Sequence, residues 1–520
     1  MAFELLGGSH LLFTCTLVAI GGIIVVYSGL IIYRVSFHPL SKFPGPRLAA
    51  ATYWYEAYYD LVQKGGSQYT SKIQALHTKY GPIIRINPEE ISVDDVEFHD
   101  KLYAPQPAVR DKHPSFSATL GTMGGSFSTV DHHLHRSRRV AYNPFFSVAN
   151  VSTSEATIIE KLNRLCDLLE ARRDSSDLGT YFAALSFDSF YTWAFGSSLD
   201  LLGDLQFASY WYHTIITLAT SIPLPRIFPS LMRYARKLFN LQAMILQEAE
   251  RFVANEHLQS NPKHENKYYP NRNGQPETLF SVIRRSKISD DEKTPFRMSQ
   301  EGTEMFMASF TPVRTMMLGL YYLYSNLDVL KTLRKELDHI NPNHEVDLKF
   351  KTLSSLPYLR AVMKEILRIT FPVGSRLPMI CHEEIEFHDW KIPAHTPMSV
   401  NHRNLLFDPT VFIEPHKFSP ERWLNDKDPI DEKRYFVVFG KGGRVCPGKG
   451  FATQLIQMTL STLVQRYEFE IIDTIWEGDV AVSRASLLTA PAFESKGVKL
   501  GLVGSRGNAG AQNEFFGCHA

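Results

Sequence analysis

Apolar residues return every three to four positions along most of this chain, the spacing that gives a helix one buried face. The pattern predicts long amphipathic helices over Ser154 to Asp174, Ser230 to Leu258, Ser299 to Leu327, Asp328 to Ile340, Leu356 to Thr370 and Gly448 to Tyr467. Strand-like alternation is short and clustered, as in PIIRINP at 82–88 and CHEEIEFHDWKI at 381–392. The expected fold class is mostly α with small β-sheets, and no internal repeat divides the globule. One helical stretch carries a fault. In MFMASFTPVRTMM, Met305 to Met317, Pro312 stands inside the run, where its missing donor and its ring cost roughly 3 kcal/mol.

The pattern changes at the N-terminus. LLFTCTLVAIGGIIVVYSGLIIY, Leu11 to Tyr33, holds no charge, and as a helix it reaches about 35 Å, enough to cross a hydrocarbon core of about 30 Å. Only Glu4 is charged before it, unlike the basic start of a cleaved signal peptide. Residues 1–33 are therefore expected to be a membrane anchor. Arg34, Lys42 and Arg47 follow, which by the positive-inside rule leaves the rest in the cytosol, on the endoplasmic reticulum membrane. Residues 34–47, ending in the proline-rich FPGPR, are expected to be a hinge, and 48–503 the globule. The polar stretch 259–298 reads as a connection within that globule, and 504–520 as a frayed tail.

Charge excludes little but excludes it clearly. Lys+Arg 55 against Asp+Glu 54 gives a net +1, so no global field points toward nucleic acid. The five cysteines, Cys15, Cys166, Cys381, Cys446 and Cys518, are odd in number and scattered, which argues for a reducing compartment. Cys446 stands in YFVVFGKGGRVCPGKGFATQL, a β-like run, a glycine-rich loop and a helix whose first position is assigned to Pro447. A sulfur there meets the positive end of the helix dipole and free loop amides, both favouring thiolate. A buried inert cysteine is the bland alternative. Gly443 to Lys449 also spells GxxxxGK, but Gly450 stands where a phosphate loop needs Ser or Thr. CHEEIEFH places Glu386 where a zinc-binding HExxH needs its second His, and the histidines of DHHLH at 131–135 read as core or solvent residues.

Phe439, Gly442, Arg444, Cys446 and Gly448 together spell FxxGxRxCxG, which resembles the haem-binding loop of the cytochromes P-450. The resemblance implies haem b with Cys446 as the thiolate on iron, Arg444 on a propionate, Phe439 shielding the sulfur and Gly448 allowing close approach. It also implies a network of Glu365 and Arg368, three apart on AVMKEILRIT, joined by Arg422 of FSPERW. Arg376 in SRLPM resembles a second propionate-binding arginine. Arg138 in HLHRSRRVAYNPFFS resembles that of a WxxxR pattern, with Leu134 in place of Trp. The order of features matches the family from Tyr33 to about Leu502. The opening segment, YRVSFHPLSKFPGPRLAAATYWYEAYYDLVQKGG, is similar to the fungal secondary-metabolism branch that includes trichodiene oxygenase. The implied activity is monooxygenation of a small apolar, terpenoid substrate, with electrons from NADPH-cytochrome P-450 reductase.

The resemblance breaks at one place. Where the family carries an acid and an alcohol in A/G-G-x-D/E-T-T/S, this chain has Thr311 and Pro312, and a pyrrolidine ring delivers no proton. Three readings stay open. Thr311, the Ala308 carbonyl freed by the proline, water or a substrate hydroxyl could carry protons; the enzyme could instead be a haem-thiolate isomerase or dehydratase needing no reductase; or the chain could bind haem without activating oxygen. Phe306, Met307 and Phe310 imply an apolar ligand.

Overall fold

The computed structural model of the chain describes residues 2–506, apart from 118–121, 123, 172–177, 229–235, 260–276, 345–347 and 426–428. Residues 260–276 of the polar 259–298 stretch and the tail beyond Arg506 lie outside these described residues; the rest of that stretch is described and holds a short helix, Leu279–Arg285, and the start of the helix from Pro295. α1 (Ala2–Ile32) stands apart; after it the apolar stripes close on one another through eleven long or site-forming helices: α2 (Val96–Leu102), α3 (His132–Tyr142), α4 (Val148–Ala171), α5 (Leu178–Phe195), α6 (Leu205–Ser221), α7 (Arg236–Gln259), α8 (Pro295–Ala308), α9 (Thr311–Ser325), α10 (Leu327–Ile340), α11 (Pro357–Thr370) and α12 (Lys449–Arg466). Helix α5 has hydrophobic residues on every side and is buried almost throughout, as a helix at the centre of a large core must be. Around it, α4, α9, α11 and α12 bury Ile158, Leu320, Ile366 and Leu460 in one continuous cluster. Each such side chain stabilises the fold by roughly 1.5–3 kcal/mol. A Cβ at Gly319 would lie 2.9 Å from Leu460 and 3.3 Å from Ile366, so the small residue sets how closely α9 packs on α11 and α12.

The strands are short. β1 (Ile83–Arg85), β2 (Ile91–Val93), β3 (Arg110–Lys112), β4 (Met379–Cys381) and β7 (Pro397–Val400) form one sheet in the order β1-β2-β7-β4-β3. Only the β2–β7 pair is parallel. β5 (Ile385–Phe387) and β6 (Trp390–Ile392) make the hairpin expected within 381–392. Two further pairs, β8 (Tyr467–Ile472) with β11 (Lys499–Ser505) and β9 (Arg484–Ala485) with β10 (Thr489–Ala490), complete the described strands. The large sheet has its own core of Ile91, Val93, Phe98 and Val400, and Leu40 and Phe43 join it.

Residues Thr14–Phe37 form an apolar helix long enough to cross a membrane, with none of its span buried in the protein. The segment after it is docked: the Arg85 amide donates to Pro44 at 2.7 Å and its guanidinium to the Arg34 carbonyl at 2.8 Å. Gly45, at φ +149°, lies against the Arg85 carbonyl, which a Cβ would approach to 2.4 Å. Residues 34–47 are thus tied to the body by the Arg85 amide and guanidinium, each donating to a carbonyl of that segment.

The helix expected over Ser299 to Leu327 is two helices. Ser309 and Phe310 keep right-handed torsions (φ −66°, ψ −9° and φ −70°, ψ −27°) between α8 and α9. Here Phe310 donates to Met307 and Val313 to Phe310, so bonding tightens to three-residue spacing. Ser186 of α5 donates to the Ser309 carbonyl at 2.5 Å. Pro312 therefore falls in the first turn of α9, where the donor it lacks has no partner to lose. The interior-proline cost expected from the sequence does not arise.

Candidate active site

The cysteine loop follows from two glycines. Gly440 (φ +72°) and Gly442 (φ +68°) occupy the left-handed region, and a Cβ on Gly442 would sit 2.2 Å from the Tyr103 carbonyl. The turn they allow brings the Cys446 amide to the Phe439 carbonyl at 2.8 Å. Gly448 is the N-cap of α12, so Pro447 lies before the helix and not at its first position. Cys446 is exposed, but toward an internal cavity of about 660 Å³ that Phe439, Arg444 and Gly448 also line. Burial pushes its thiol up, against the pull of the Gly448 and Lys449 amides and the charge of Arg139. The amides that the sequence placed beside the sulfur are there, and they act against its burial.

Four basic side chains line one part of this cavity: Lys112, His135, Arg139 and Arg444. Arg444 donates to the Thr129 and Val130 carbonyls at 2.9 and 3.0 Å, and its buried Nε has no partner among the described residues. Burial holds it down, to about 10. Lys112 donates to the Phe127 carbonyl at 2.7 Å and sits over that ring, its ammonium depressed by burial. His135 is pushed down to about 2 by burial and by Arg444, Arg139 and Lys112. Among the described residues, no carboxylate forms an ion pair with Lys112, Arg139 or Arg444. This is a wall for an anion.

Two acids face the cavity elsewhere. Glu304 accepts from Thr122 Oγ1 (2.8 Å), Ser128 Oγ (2.5 Å) and the amides of Phe127 (2.7 Å) and Ser128 (3.0 Å). Burial, then the charge of Glu301, raises its carboxyl to about 7. Glu301 accepts from Ser126 and Arg297. Thr311, Pro312 and Thr315 line the cavity from α9, and the buried Thr315 hydroxyl has no partner among the described residues. Much of the remaining lining is apolar, including Phe127, Phe190, Ile215, Leu218, Met305 and Met307.

The Glu365 network is present and larger than expected. Fully buried Glu365 accepts from Arg368 Nε and Nη2 at 2.9 and 2.8 Å, and from Arg422 Nε at 3.1 Å. Trp423 Nε1 (2.9 Å) and the Ser419 amide (3.1 Å) add two donors that the ExxR spacing does not reveal.

Two expected contacts are placed differently. Arg376 does not line the cavity: buried, it donates to Glu90 Oε1 at 2.8 Å and to Glu56 Oε1 at 2.7 Å. The two carboxylates occupy its guanidinium. Arg138 likewise turns away, donating to Glu292 at 2.9 and 2.7 Å and to Thr129 at 2.8 Å. The pair on α3 that does reach the cavity, His135 and Arg139, has the same four-residue spacing one position later, while Leu134 is exposed. The missed Lys112 lies on β3, opposite Met379 of β4, a juxtaposition with no local signature.

The Cytochrome P-450 family model matches residues 52–486. The chain belongs to the cytochrome P-450 family. It is 34% identical to a cytochrome P-450 monooxygenase of Ascocoryne sarcoides, over 93% of this chain and 98% of that protein. It is 33% identical to another from Sordaria araneosa, over 92% and 96%. A tryptophan 6-hydroxylase of Fusarium equiseti is 32% identical over 91% and 94%. This cytochrome P-450 is therefore a monooxygenase of a family whose cofactor is haem held by a cysteine thiolate, and the relatives named here are fungal. Its cavity fits that group. Arg139, Arg444 and Lys112, with His135 as a neutral donor, suit two propionates, and among the described residues the buried Arg444 Nε has no acceptor. At cavity-lining Gly448, a Cβ would meet no protein atom closer than 4.0 Å, so nothing in the protein itself requires glycine there.

Proposed function

We propose that this cytochrome P-450 binds haem b through Cys446 and oxidises, by hydroxylation or epoxidation, a small apolar substrate of terpenoid type in fungal secondary metabolism. The observation that carries the reading is one cavity faced by the cysteine of FxxGxRxCxG, by Lys112, Arg139 and Arg444, none of them ion-paired to a carboxylate among the described residues, and by an apolar remainder. Haem with a thiolate ligand supplies the activation of dioxygen by electrons. Around it the chain's own residues have separate tasks. The Phe439 carbonyl fixes the Cys446 backbone, and the loop amides polarise the sulfur. Arg139, Arg444, Lys112 and His135 would hold the propionates, while Phe439 and Gly448 would flank the ring. Glu365 ties α11 to residues 419–423 through Arg368, Arg422 and Trp423, fixing one side of the framework. Met305, Met307 and Phe190 exclude water from the substrate. Electrons would come from NADPH-cytochrome P-450 reductase, with the chain held at the endoplasmic reticulum by 1–33 and its catalytic body, 48–503, in the cytosol.

Thr311 and Pro312 favour a second reading, a haem-thiolate isomerase or dehydratase independent of reductase, because both line the cavity where an acid and alcohol are expected. Turnover with NADPH and reductase, placing one atom of ¹⁸O₂ in the product, supports monooxygenation; turnover without reductant refutes it. A thiolate-type carbon monoxide difference spectrum in the wild type, lost in Cys446→Ser, tests the ligand assignment.

A further inference from the structure

Three rings meet where α2 passes the cysteine loop. His99 of α2, Tyr103 just beyond it and His402 just after β7 lie with ring centroids 4.8 to 5.5 Å apart. Tyr103 and His402 line the cavity, as does Lys441 of the cysteine loop. His99 is fully buried, yet neither of its ring nitrogens has a partner among the described residues, and the same holds for His402 Nε2. Buried polar groups left without protein partners are where ordered water is found. His77 shows the ordinary arrangement: its Nδ1 meets the Gly81 carbonyl at 3.0 Å and its Nε2 the Ser92 hydroxyl at 2.9 Å. Toward the surface, His99 Nδ1 lies 3.7 Å from Asp100 Oδ1, too far for a direct hydrogen bond and within reach of a shared water. Asp100 is partly exposed and pairs with Lys441 and Arg434.

We propose that His99 and His402 bind water and form a proton passage from the protein surface at Asp100 and Lys441 to the cysteine-loop end of the cavity. The inference rests on the monooxygenase reading, because that reaction takes up two protons for each O2, and Pro312 stands where a relay alcohol is expected. An imidazole relays by accepting a proton on one nitrogen and releasing another from the second, so neither nitrogen can be tied up in a protein bond. His99 meets that condition and His77 does not. The ring is left neutral after each passage. The titratable and charged groups facing the pair are Asp100 of α2, Lys441 of the cysteine loop and Tyr103, whose hydroxyl is committed to the Leu377 carbonyl at 2.9 Å. Burial pushes His99 down to about 3 and His402 to about 4, so at neutral pH neither ring traps the proton it passes on.

The test uses the haem-loaded full chain. Its crystal structure should show ordered waters within about 3.2 Å of both His99 nitrogens and of His402 Nε2. Proton arrival is read with NADPH, purified reductase and no added substrate, where reduction of O2 to H2O2 takes two electrons from NADPH and two protons from water. His99→Phe keeps a ring against Tyr103 but carries no nitrogen. It should slow peroxide formation by about tenfold or more, a small part of what positioned proton transfer supplies, and should raise the ratio of rates in H2O and D2O. The rate of carbon monoxide complex formation under NADPH, which reads electron delivery alone, should stay at the wild-type value. Asp100→Asn leaves the ring pocket intact and removes the acid at its mouth; it should act in the same direction, and it carries the test if His99→Phe does not fold. Density without water at these nitrogens would overturn the proposal, as would wild-type peroxide formation and isotope ratio in the variants. Failure of the wild type to give a thiolate-type carbon monoxide spectrum, or turnover without reductant, would instead count against the reading on which the passage rests.

Discussion

Arg376→Met separates two roles for one buried arginine. In the structure Arg376 sits between Glu56 and Glu90, with three nitrogen–oxygen contacts of 2.7 to 3.2 Å. Burial pushes the Glu56 carboxyl up, and Arg376 and Arg226 more than offset it, to about 2 from an ordinary 4.5. That difference corresponds to roughly 3 kcal/mol at neutral pH. Methionine keeps most of the volume but leaves Glu56 with Arg226 and Asn87, and Glu90 with Asn87 and Ser399. Removing one member of such a buried group costs about 3–5 kcal/mol, a large share of a net stability of about 5–15 kcal/mol. A carboxylate with a depressed pKa contributes stability above pH 4.5 that is lost as pH falls toward 2. The variant, with Glu56 less depressed, should lose less stability between pH 4.5 and 2 than the wild type, but from a lower starting value, so its acid transition comes earlier. Urea denaturation at pH 7 and an acid titration of the haem-loaded protein measure both effects, and haem transfer to apomyoglobin measures cofactor release. The expected result is a lower urea midpoint and an earlier acid transition, with native haem release at pH 7. Unchanged stability with faster haem loss would refute the structural role and restore the propionate role.

Glu304→Gln should alter the pH dependence in the opposite sense. A carboxyl raised to about 7 contributes stability below pH 4.5 that is lost as pH rises through 7, about 3 kcal/mol between pH 5 and 8; urea midpoints across that range should fall more steeply in the wild type than in the variant. Glu365→Ala leaves Arg368 fully buried without its carboxylate and should cost about 3–5 kcal/mol, read as a collapsed yield of haem-loaded protein and a lower urea midpoint. Pro312→Thr should change stability by no more than about 1 kcal/mol, since Pro312 occupies the first turn of α9. It should alter peroxide release or the product pattern; an unchanged ratio of product to NADPH consumed would make the position structural only.

The helices were legible in the sequence because their faces repeat. Leu356–Thr370 and Asp328–Ile340 are matched by α11 and α10 to within a residue or two. The cysteine loop was legible because its glycines and Arg444 answer to local geometry. Legibility failed where a side chain's partner comes from far along the chain. Arg376 meets Glu56 and Glu90, and no local pattern predicts that two distant carboxylates occupy it. On α3, Arg138 and Arg139 are adjacent in sequence but face Glu292 and the cavity respectively; the basic run HRSRR gives no reason to choose between them. Lys112 becomes part of the cavity only because β3 pairs with β4. The bonds of Glu301 to Ser126 and of Glu304 to Ser128 span about 175 residues, and no short motif announces them.

The interruption at Ser309 and Phe310 also bears on how such a protein can diverge. α8 packs on α7 and binds Thr122, Phe127 and Ser128, whereas α9 packs on α5, α11 and α12, the framework beside Cys446. Had one unbroken rod joined these neighbourhoods, a change of shape in one would have been transmitted as a tilt of the other. With the rod divided, mutations that reshape the ligand chamber can accumulate in a lineage with little strain reaching the thiol-bearing half. The break at Ser309 and Phe310 thus lets α8 follow Thr122 and residues 124–130 and α9 follow the framework, with less strain passed between them.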